Sequence, residues 1–419
     1  MIDPIEPADT NRAVTLSHVR AAYPLLAARV RHTPLGENGG VSERAGVAAF
    51  GATLRLKMEN QQRTGSFKIR GATWKVASLT ADEKERGVVS ASAGNHGQGV
   101  ALAAREAGVQ ATVWVPRTAS IAKIAAMESY GAAVRFAGAE FADADRAARE
   151  YARETGAVFV SAFDDDAVIT GQGSLGLELL ADAPEVDTVL IPIGGGGLFA
   201  GVAVALKETN PKIRIIGVQA EGADAAARSF AAGRLIPRTE PVSTLADGIA
   251  VKSPSARTWA YIAHYADAVV TVPDDLIAEA VLLLLSRTKN LVEPSGAASL
   301  AALFAHPHLA RGRTVCLLCG GNLDPRLLSD LIERGLIRTG RYFRFISACF
   351  DRPGSLASLL SEVGDAGANV IEVIHNRLSE TVPYGRTGVD LLVEVRDEAH
   401  IAALSARLVE RGYPVTRLS

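Results

Sequence analysis

Between about residue 50 and residue 335 the chain alternates short runs that are apolar on both faces with segments of helical period. The runs 53–58 (TLRLKM), 87–92, 111–116, 133–138, 158–163, 188–193 (TVLIPI), 213–220, 268–272 and 314–319 read as strands. Segments such as 97–108 (GQGVALAAREAG), 119–131 and 141–156 carry apolar residues at helical spacing between them. Strands apolar on both faces and separated by helices build parallel sheets covered on both sides. That many strands exceed one comfortable sheet. The pattern therefore predicts two α/β lobes.

The pattern changes after residue 335. Residues 336–340 read as a linker. Beyond them come a strand (342–350), a helix (354–366), two strands (369–379 and 387–396), a helix (397–411) and a strand (413–418). This βαββαβ order predicts a separate ferredoxin-like domain over 341–419, following a core over 1–335.

Composition narrows the function classes. The 419 residues carry a formal net charge of −2, and no basic stretch forms a phosphate-backbone footprint, which argues against nucleic acid as a partner. Apolar runs such as VLLLL (281–285) are far too short to span a membrane. The first residues, MIDPIEPADTNRAV, carry acids and lack the apolar stretch of a signal peptide. The three cysteines, Cys316, Cys319 and Cys349, fit a reducing compartment, so a cytoplasmic protein is expected. Cys316 and Cys319 have C-x-x-C spacing, but on a strand these positions face opposite sides, which disfavours a redox or zinc pair.

Three glycine-rich turns each follow a predicted strand: ASAGNHGQG (91–99), GGGGL (194–198) and CGGN (319–322). In open α/β sheets ligands bind at the carboxyl ends of strands, so the three turns are expected to converge on one ligand. A bare turn needs one or two glycines. Four at a strand-to-helix junction suit a phosphate, because the backbone comes close and helix N–H groups point at the anion. A dinucleotide fits less well, since Phe199 stands where G-x-G-x-x-G needs its third glycine. Lys68 opens an apolar helix in TGSFKIRGA (64–72). Alone it would pass for a surface lysine. Beside a phosphate site, a lysine at a positive helix end becomes a candidate neutral amine, the form that condenses with an aldehyde, which suggests pyridoxal 5′-phosphate.

TGSFKIRGA (64–72), SASAGNHGQGVA (90–101), IPIGGGGL (191–198), TLADGIAV (244–251), VEPSGAA (292–298) and CGGNLD (319–324) resemble, in order and spacing, the motifs of the threonine dehydratase (threonine ammonia-lyase) family. That family belongs to the fold-type II pyridoxal-phosphate enzymes, with serine racemase and tryptophan synthase β. The resemblance covers about residues 15–335 and implies a smaller lobe of roughly residues 60–160 inserted in the larger. Residues 350–373 resemble an ACT domain, a regulatory amino-acid-binding module.

The resemblance implies roles. Lys68 would hold the cofactor and act as base, with Phe67 beside the ring and Asn95 bonded to the 3′-hydroxyl. Gly194, Gly195, Gly196, Gly197 and the N–H of Leu198 would cradle the phosphate, and Cys319 would face the pyridine nitrogen. The backbone of Ser92, Ala93, Gly94, Asn95 and His96 would bind the substrate carboxylate, while Gly248 and Glu293 would line the pocket. A neutral thiol at the pyridine nitrogen suits β-elimination and suits transamination poorly. Racemases of this fold place a serine where this chain has Ala93, which favours the dehydratase over serine racemase. Serine dehydratase and 3-hydroxyaspartate dehydratase remain rivals, as does a non-catalytic amino-acid sensor, although a sensor would be free to lose Lys68. Glu221 matches the first ligand of a cation site found in some relatives, but the next carboxylate is missing unless Asp224 substitutes, so no strong metal site is expected. The ACT-like module implies a homo-oligomer, a dimer or tetramer, and an effector of the isoleucine or valine type. Threonine deamination would then open isoleucine synthesis.

Overall fold

The computed structural model describes residues 12–376 and 384–418. Within them, two compact units divide at Asp324/Pro325. In the first unit the nine expected strands fall into two sheets. The larger sheet combines β1 (Leu35–Gly36), β2 (Thr53–Lys57), β7 (Thr188–Pro192), β8 (Arg214–Ala220), β9 (Ala268–Val272) and β10 (Arg313–Leu317). Its order is β1-β2-β10-β7-β8-β9, parallel throughout except for the β1–β2 pair. The smaller sheet holds β3 (Val88–Ala91), β4 (Ala111–Val115), β5 (Ala133–Phe136) and β6 (Val158–Phe159), all parallel in the order β5-β4-β3-β6. The chain thus enters the larger sheet with β1 and β2, builds the smaller sheet, and returns at β7.

Two strand expectations need correction. The two-residue β1 lies in a segment without alternation, where the pattern predicts no strand. The run 158–163 is strand only over Val158–Phe159: Val160 still bonds to Val89, and beyond it the chain leaves the sheet, where Phe163 meets the glycine turn described below.

Buried helices set the layers. β7 is buried at every position, and the helix Gly197–Lys207 that follows it is buried from Gly197 to Leu206. The helix Asp166–Asp182 crosses the Lys68–Ala77 helix where Gly171 meets Gly71: a Cβ added at Gly171 would lie 2.7 Å from the Gly71 Cα. Only glycine at this crossing allows such approach, and the crossing fixes the start of the helix that carries Lys68.

The second unit begins with the helix Pro325–Arg338, so residues 336–338, expected to open a linker, are its last turn. An amphipathic helical pattern runs through that helix and leaves no polar break at 335. An antiparallel sheet follows, made of β11 (Tyr342–Phe350), β12 (Asn369–Asn376), β13 (Arg386–Glu394) and β14 (Thr416–Arg417) in the order β12-β13-β11-β14. The helices Ser355–Asp365 and Glu398–Glu410 complete the βαββαβ order. Phe343, Phe345 and Cys349 alternate along β11 toward Leu359, Leu404 and Leu408 of the helices, which closes one core. Residues 377–379 of the expected strand 369–379, and the first eleven residues, lie outside the described ones. Among the described residues no helix is long and apolar enough to cross a membrane.

Candidate functional site

All three glycine turns follow strand ends, β3, β7 and β10, and they meet although they come from both sheets. Gly196 adopts φ +91° and caps the Gly197–Lys207 helix, a left-handed conformation suited to glycine. The first N–H groups of that helix, including Leu198, have no intrahelical acceptor. The turn is walled closely. An added Cβ would lie 3.0 Å from the Ile249 Cα at Gly194, 2.2 Å from the Phe163 ring at Gly195, 2.9 Å from Thr258 at Gly196 and 2.9 Å from the Phe163 Cα at Gly197. Thr258 also donates to the Gly195 carbonyl at 2.7 Å, which holds the turn from below.

Lys68 connects to this turn through consecutive residues. Its Nζ donates to the Ala162 carbonyl at 3.1 Å, and the next residue is Phe163. Phe67 precedes the helix, and its ring lies 5.1 Å from the Lys68 Nζ. Burial pushes the Lys68 amine down to about 8, against the opposing pull of Glu293 and Cys319. The helix start is held by the third turn: the Phe67 N–H donates to the Cys319 carbonyl at 3.1 Å, and the Gly321 N–H to Gly65 at 2.8 Å. Cys319 is buried, and burial raises its thiol well above the ordinary range, so it stays neutral.

The first turn supplies the opposite wall. Ser92 Oγ accepts the Gly94 N–H at 3.2 Å, and Ala93 and Gly94 lead into the helix Asn95–Glu106, whose first N–H groups are free of intrahelical partners. Asn95 Nδ2 donates to Glu293 Oε1 at 2.6 Å. His96 is buried, bonded through Nε2 to the Val160 carbonyl at 2.9 Å; burial and then Lys68 push it down to about 3, so it is neutral. Glu293 is also buried. Desolvation and then Asp247 raise it to about 7. Gly248 joins the two sides: its carbonyl would lie 3.3 Å from a Cβ at Gly194, and its own Cβ would lie 2.8 Å from Ser295 Oγ. A Cβ at Gly320 would lie 2.2 Å from Glu293 Oε1.

These contacts therefore link Phe67, Lys68, Ser92 to His96, Gly194 to Leu198, Gly248, Glu293 and Cys319 into one cluster at the strand ends. The structure adds residues that the sequence patterns do not single out. Phe163 reads in the sequence as a strand residue. Asn322 lies in the CGGNLD motif, with no role attached to it by the resemblance. Lys123, on the helix Ile121–Ser129 of the smaller lobe, reaches Asp247 of the larger lobe at 2.8 Å and lies 3.9 Å from a Cβ at Gly94. Burial opposes its charge, but Asp247 more than restores it and raises its pKa. The Ser92–His96 turn is thus flanked by a retained cation. Asp224 is paired with Arg238 at 2.6 Å.

Gly195→Ala tests the walling directly. The new methyl must displace the Phe163 ring, so cofactor affinity is expected to fall by about tenfold or more, which equals ~1.4 kcal/mol or more. Titration of the apo-protein with pyridoxal phosphate measures it.

Comparison with known proteins follows the same line. Residues 27–320 match the family model described as "Pyridoxal-phosphate dependent enzyme". The L-threonine ammonia-lyase of Thermotoga maritima is 42% identical over 402 residues, 96% of this chain and 99% of the relative. A solved threonine deaminase from the organism abbreviated T.th. superimposes with a TM-score of 0.69 at 40% identity, covering 74% of this chain and 99% of that one. A solved maize serine racemase gives a TM-score of 0.72 at 34% identity, over 78% and 99%.

Proposed function

This chain belongs to the pyridoxal-phosphate dependent enzyme family, and from that premise we propose that it is a threonine ammonia-lyase, converting L-threonine to 2-oxobutanoate and ammonia and L-serine to pyruvate. The observation that carries the reading is one cluster where a lysine amine with a lowered pKa, a neutral buried thiol and a glycine-walled helix N-terminus are linked by direct contacts. Those residues fit pyridoxal phosphate. The Gly194–Gly197 turn is too closely walled for side chains, and the first N–H groups of the helix it opens, Leu198 included, would hold the phosphate. Lys68 would hold the aldehyde carbon, Asn95 the 3′-oxygen, and Cys319 would face the ring nitrogen.

The bound cofactor supplies the electron sink that makes the substrate Cα–H acidic. The remaining chemistry belongs to the chain. The first N–H groups of the Asn95 helix bind the substrate carboxylate, and Lys123 adds a positive field beside them. With the cofactor bound, the Lys68 amine would take the Cα proton. The β-hydroxyl would leave as water, the proton taken from Cα being returned to it, and the enamine product would take up water to give the 2-oxo acid and ammonia. Ala93 carries no proton to the opposite face, so elimination is favoured over racemisation even though a racemase shares the fold. The neutral Cys319 adds no charge at the ring nitrogen, which suits a reaction drained by a departing group.

The second unit is proposed as an ACT-like regulatory module that pairs with another copy and takes isoleucine or valine. Gly354, with φ +87° and open space around its missing Cβ, precedes the helix Ser355–Asp365 and leaves room for a ligand backbone. Such a ligand regulates only if its affinity differs between two enzyme states. The activity would open isoleucine synthesis in the cytoplasm.

The test is 2-oxo acid formation by the cofactor-loaded full chain from L-threonine and L-serine, with and without isoleucine and valine. Threonine turnover is expected, with a change of rate or of cooperativity on adding one effector. A bound cofactor without 2-oxo acid from either substrate would overturn the reading.

A further inference from the structure

We infer that Asn322 is a positioning residue that fixes the amide of Asn95, so that Asn95 turns an N–H, and not its carbonyl, toward the cofactor's 3′-oxygen. The inference rests on the cofactor reading above. Asn322 touches no reacting atom and acts through Asn95.

The Thr64 backbone carbonyl can only accept. The Asn322 amide atom 2.7 Å from it is therefore Nδ2. The same nitrogen lies 2.6 Å from the Asn95 side chain. With one hydrogen given to Thr64, its second goes to Asn95, and the Asn95 atom that receives it must be Oδ1. Asn95 Nδ2 then faces the other way. One of its hydrogens goes to Glu293 Oε1 at 2.6 Å, whether or not that carboxyl is ionised. The second N–H is left for the pocket. Every amide orientation in this chain of groups follows from one backbone carbonyl, with no free choice remaining.

The seat for Asn322 is built by the backbone. Gly65 adopts φ +72°, and a Cβ there would lie 2.4 Å from Asn322 Oδ1. The turn carrying Asn322 is bonded to the Lys68 turn through the Phe67 N–H and the Gly321 N–H. Lys68 and Asn95, from different helices, are thereby referred to the same loop. An ionised phenolic oxygen accepts from an N–H and is repelled by a carbonyl, so a reversed Asn95 amide would favour the form in which that oxygen keeps its proton.

The isosteric variant Asn322→Asp removes both N–H groups and leaves the volume unchanged. In reconstituted full-length protein it is expected to weaken pyridoxal phosphate binding by about tenfold or more. The bound chromophore should show a larger share of its shorter-wavelength band, with an altered pH midpoint. The kcat for threonine should fall while KM holds. If Asn322→Asp fails to fold, Asn322→Ser, which keeps a single donor, takes its place and should show the same spectral change in smaller degree. A variant with the wild-type spectrum, pH midpoint and cofactor dissociation constant, and only a lower melting temperature, would make Asn322 merely structural and overturn the inference. A wild-type chain that takes up no cofactor overturns instead the reading on which it rests.

Discussion

Lys68→Ala is expected to abolish 2-oxo acid formation from both threonine and serine, by about 10³-fold or more. The same side chain serves as cofactor anchor and as base, so no partial activity remains to be carried by a neighbour: His96 is neutral with its Nε2 bonded to Val160, and Cys319 keeps its proton. The wild-type amine has a signature in pH. Only the neutral form attacks the aldehyde. Below about 8 its fraction rises tenfold per pH unit, so the rate of cofactor capture by apo-protein should climb steeply and level near pH 8. A solvated lysine would keep climbing toward 10.5. Stability carries the same mark with a definite sign. Between about pH 8 and 10.5 the unfolded chain binds a proton that the folded chain has given up, so this group makes apo-protein stability rise with pH in that window. Stopped-flow capture across pH 6.5 to 10, in roughly half-unit steps, measures the first effect. Capture that keeps rising beyond pH 9 by about tenfold per unit would contradict the buried amine.

The parallel sheets are legible in the sequence because central strands such as β3 and β7, buried at every position, write themselves as continuous apolar runs, while the ferredoxin-like sheet, with its alternating β11 and largely exposed β12, is legible from the order of its elements. The glycine turns and Lys68 are legible because a left-handed cap and a charged residue in an apolar helix are local exceptions. Interactions between distant positions leave no such local mark. Phe163 looks like one more apolar residue after β6, and only folding places it on Gly195. Lys123 and Asp247 read as ordinary surface charges until two lobes bring them to 2.8 Å. Asn322 has the polar side chain of any turn residue, and its role depends on Thr64 and Asn95, far away in the chain. The helix Pro325–Arg338 shows the converse. A change of pattern locates the second unit, but the helix runs through the expected break because helical period continues there.

Arg70→Met is expected to cost the catalytic unit about 3–5 kcal/mol, the range for removing one partner from a buried ion pair. Arg70 is 1% exposed on the Lys68 helix, two residues beyond the lysine. Its guanidinium forks to Glu59 with Nε–Oε2 at 2.8 Å and Nη2–Oε1 at 2.7 Å, and reaches Glu178 Oε2 at 2.8 Å. Glu59 and Glu178 are themselves buried. Lys57, also buried, pairs with Glu178 and Asp182 at 2.7 Å each. Methionine would fill the volume but leave Glu59 with one donor, Thr33, and no cation. Lysine cannot reproduce the fork, so Arg70→Lys should recover only part of the loss. The double variant Arg70→Met/Glu59→Met removes the stranded carboxylate, and should be more stable than Arg70→Met alone because Glu178 still has Lys57. Trp74, Trp114 and Trp259 all lie in the first unit, so tryptophan fluorescence during urea unfolding reports on that unit. The loss should also persist in high salt, since screening acts on exposed pairs and hardly on buried ones. A double variant less stable than Arg70→Met would mean that the network stabilises through packing, and that its charges do not set the start of the Lys68 helix.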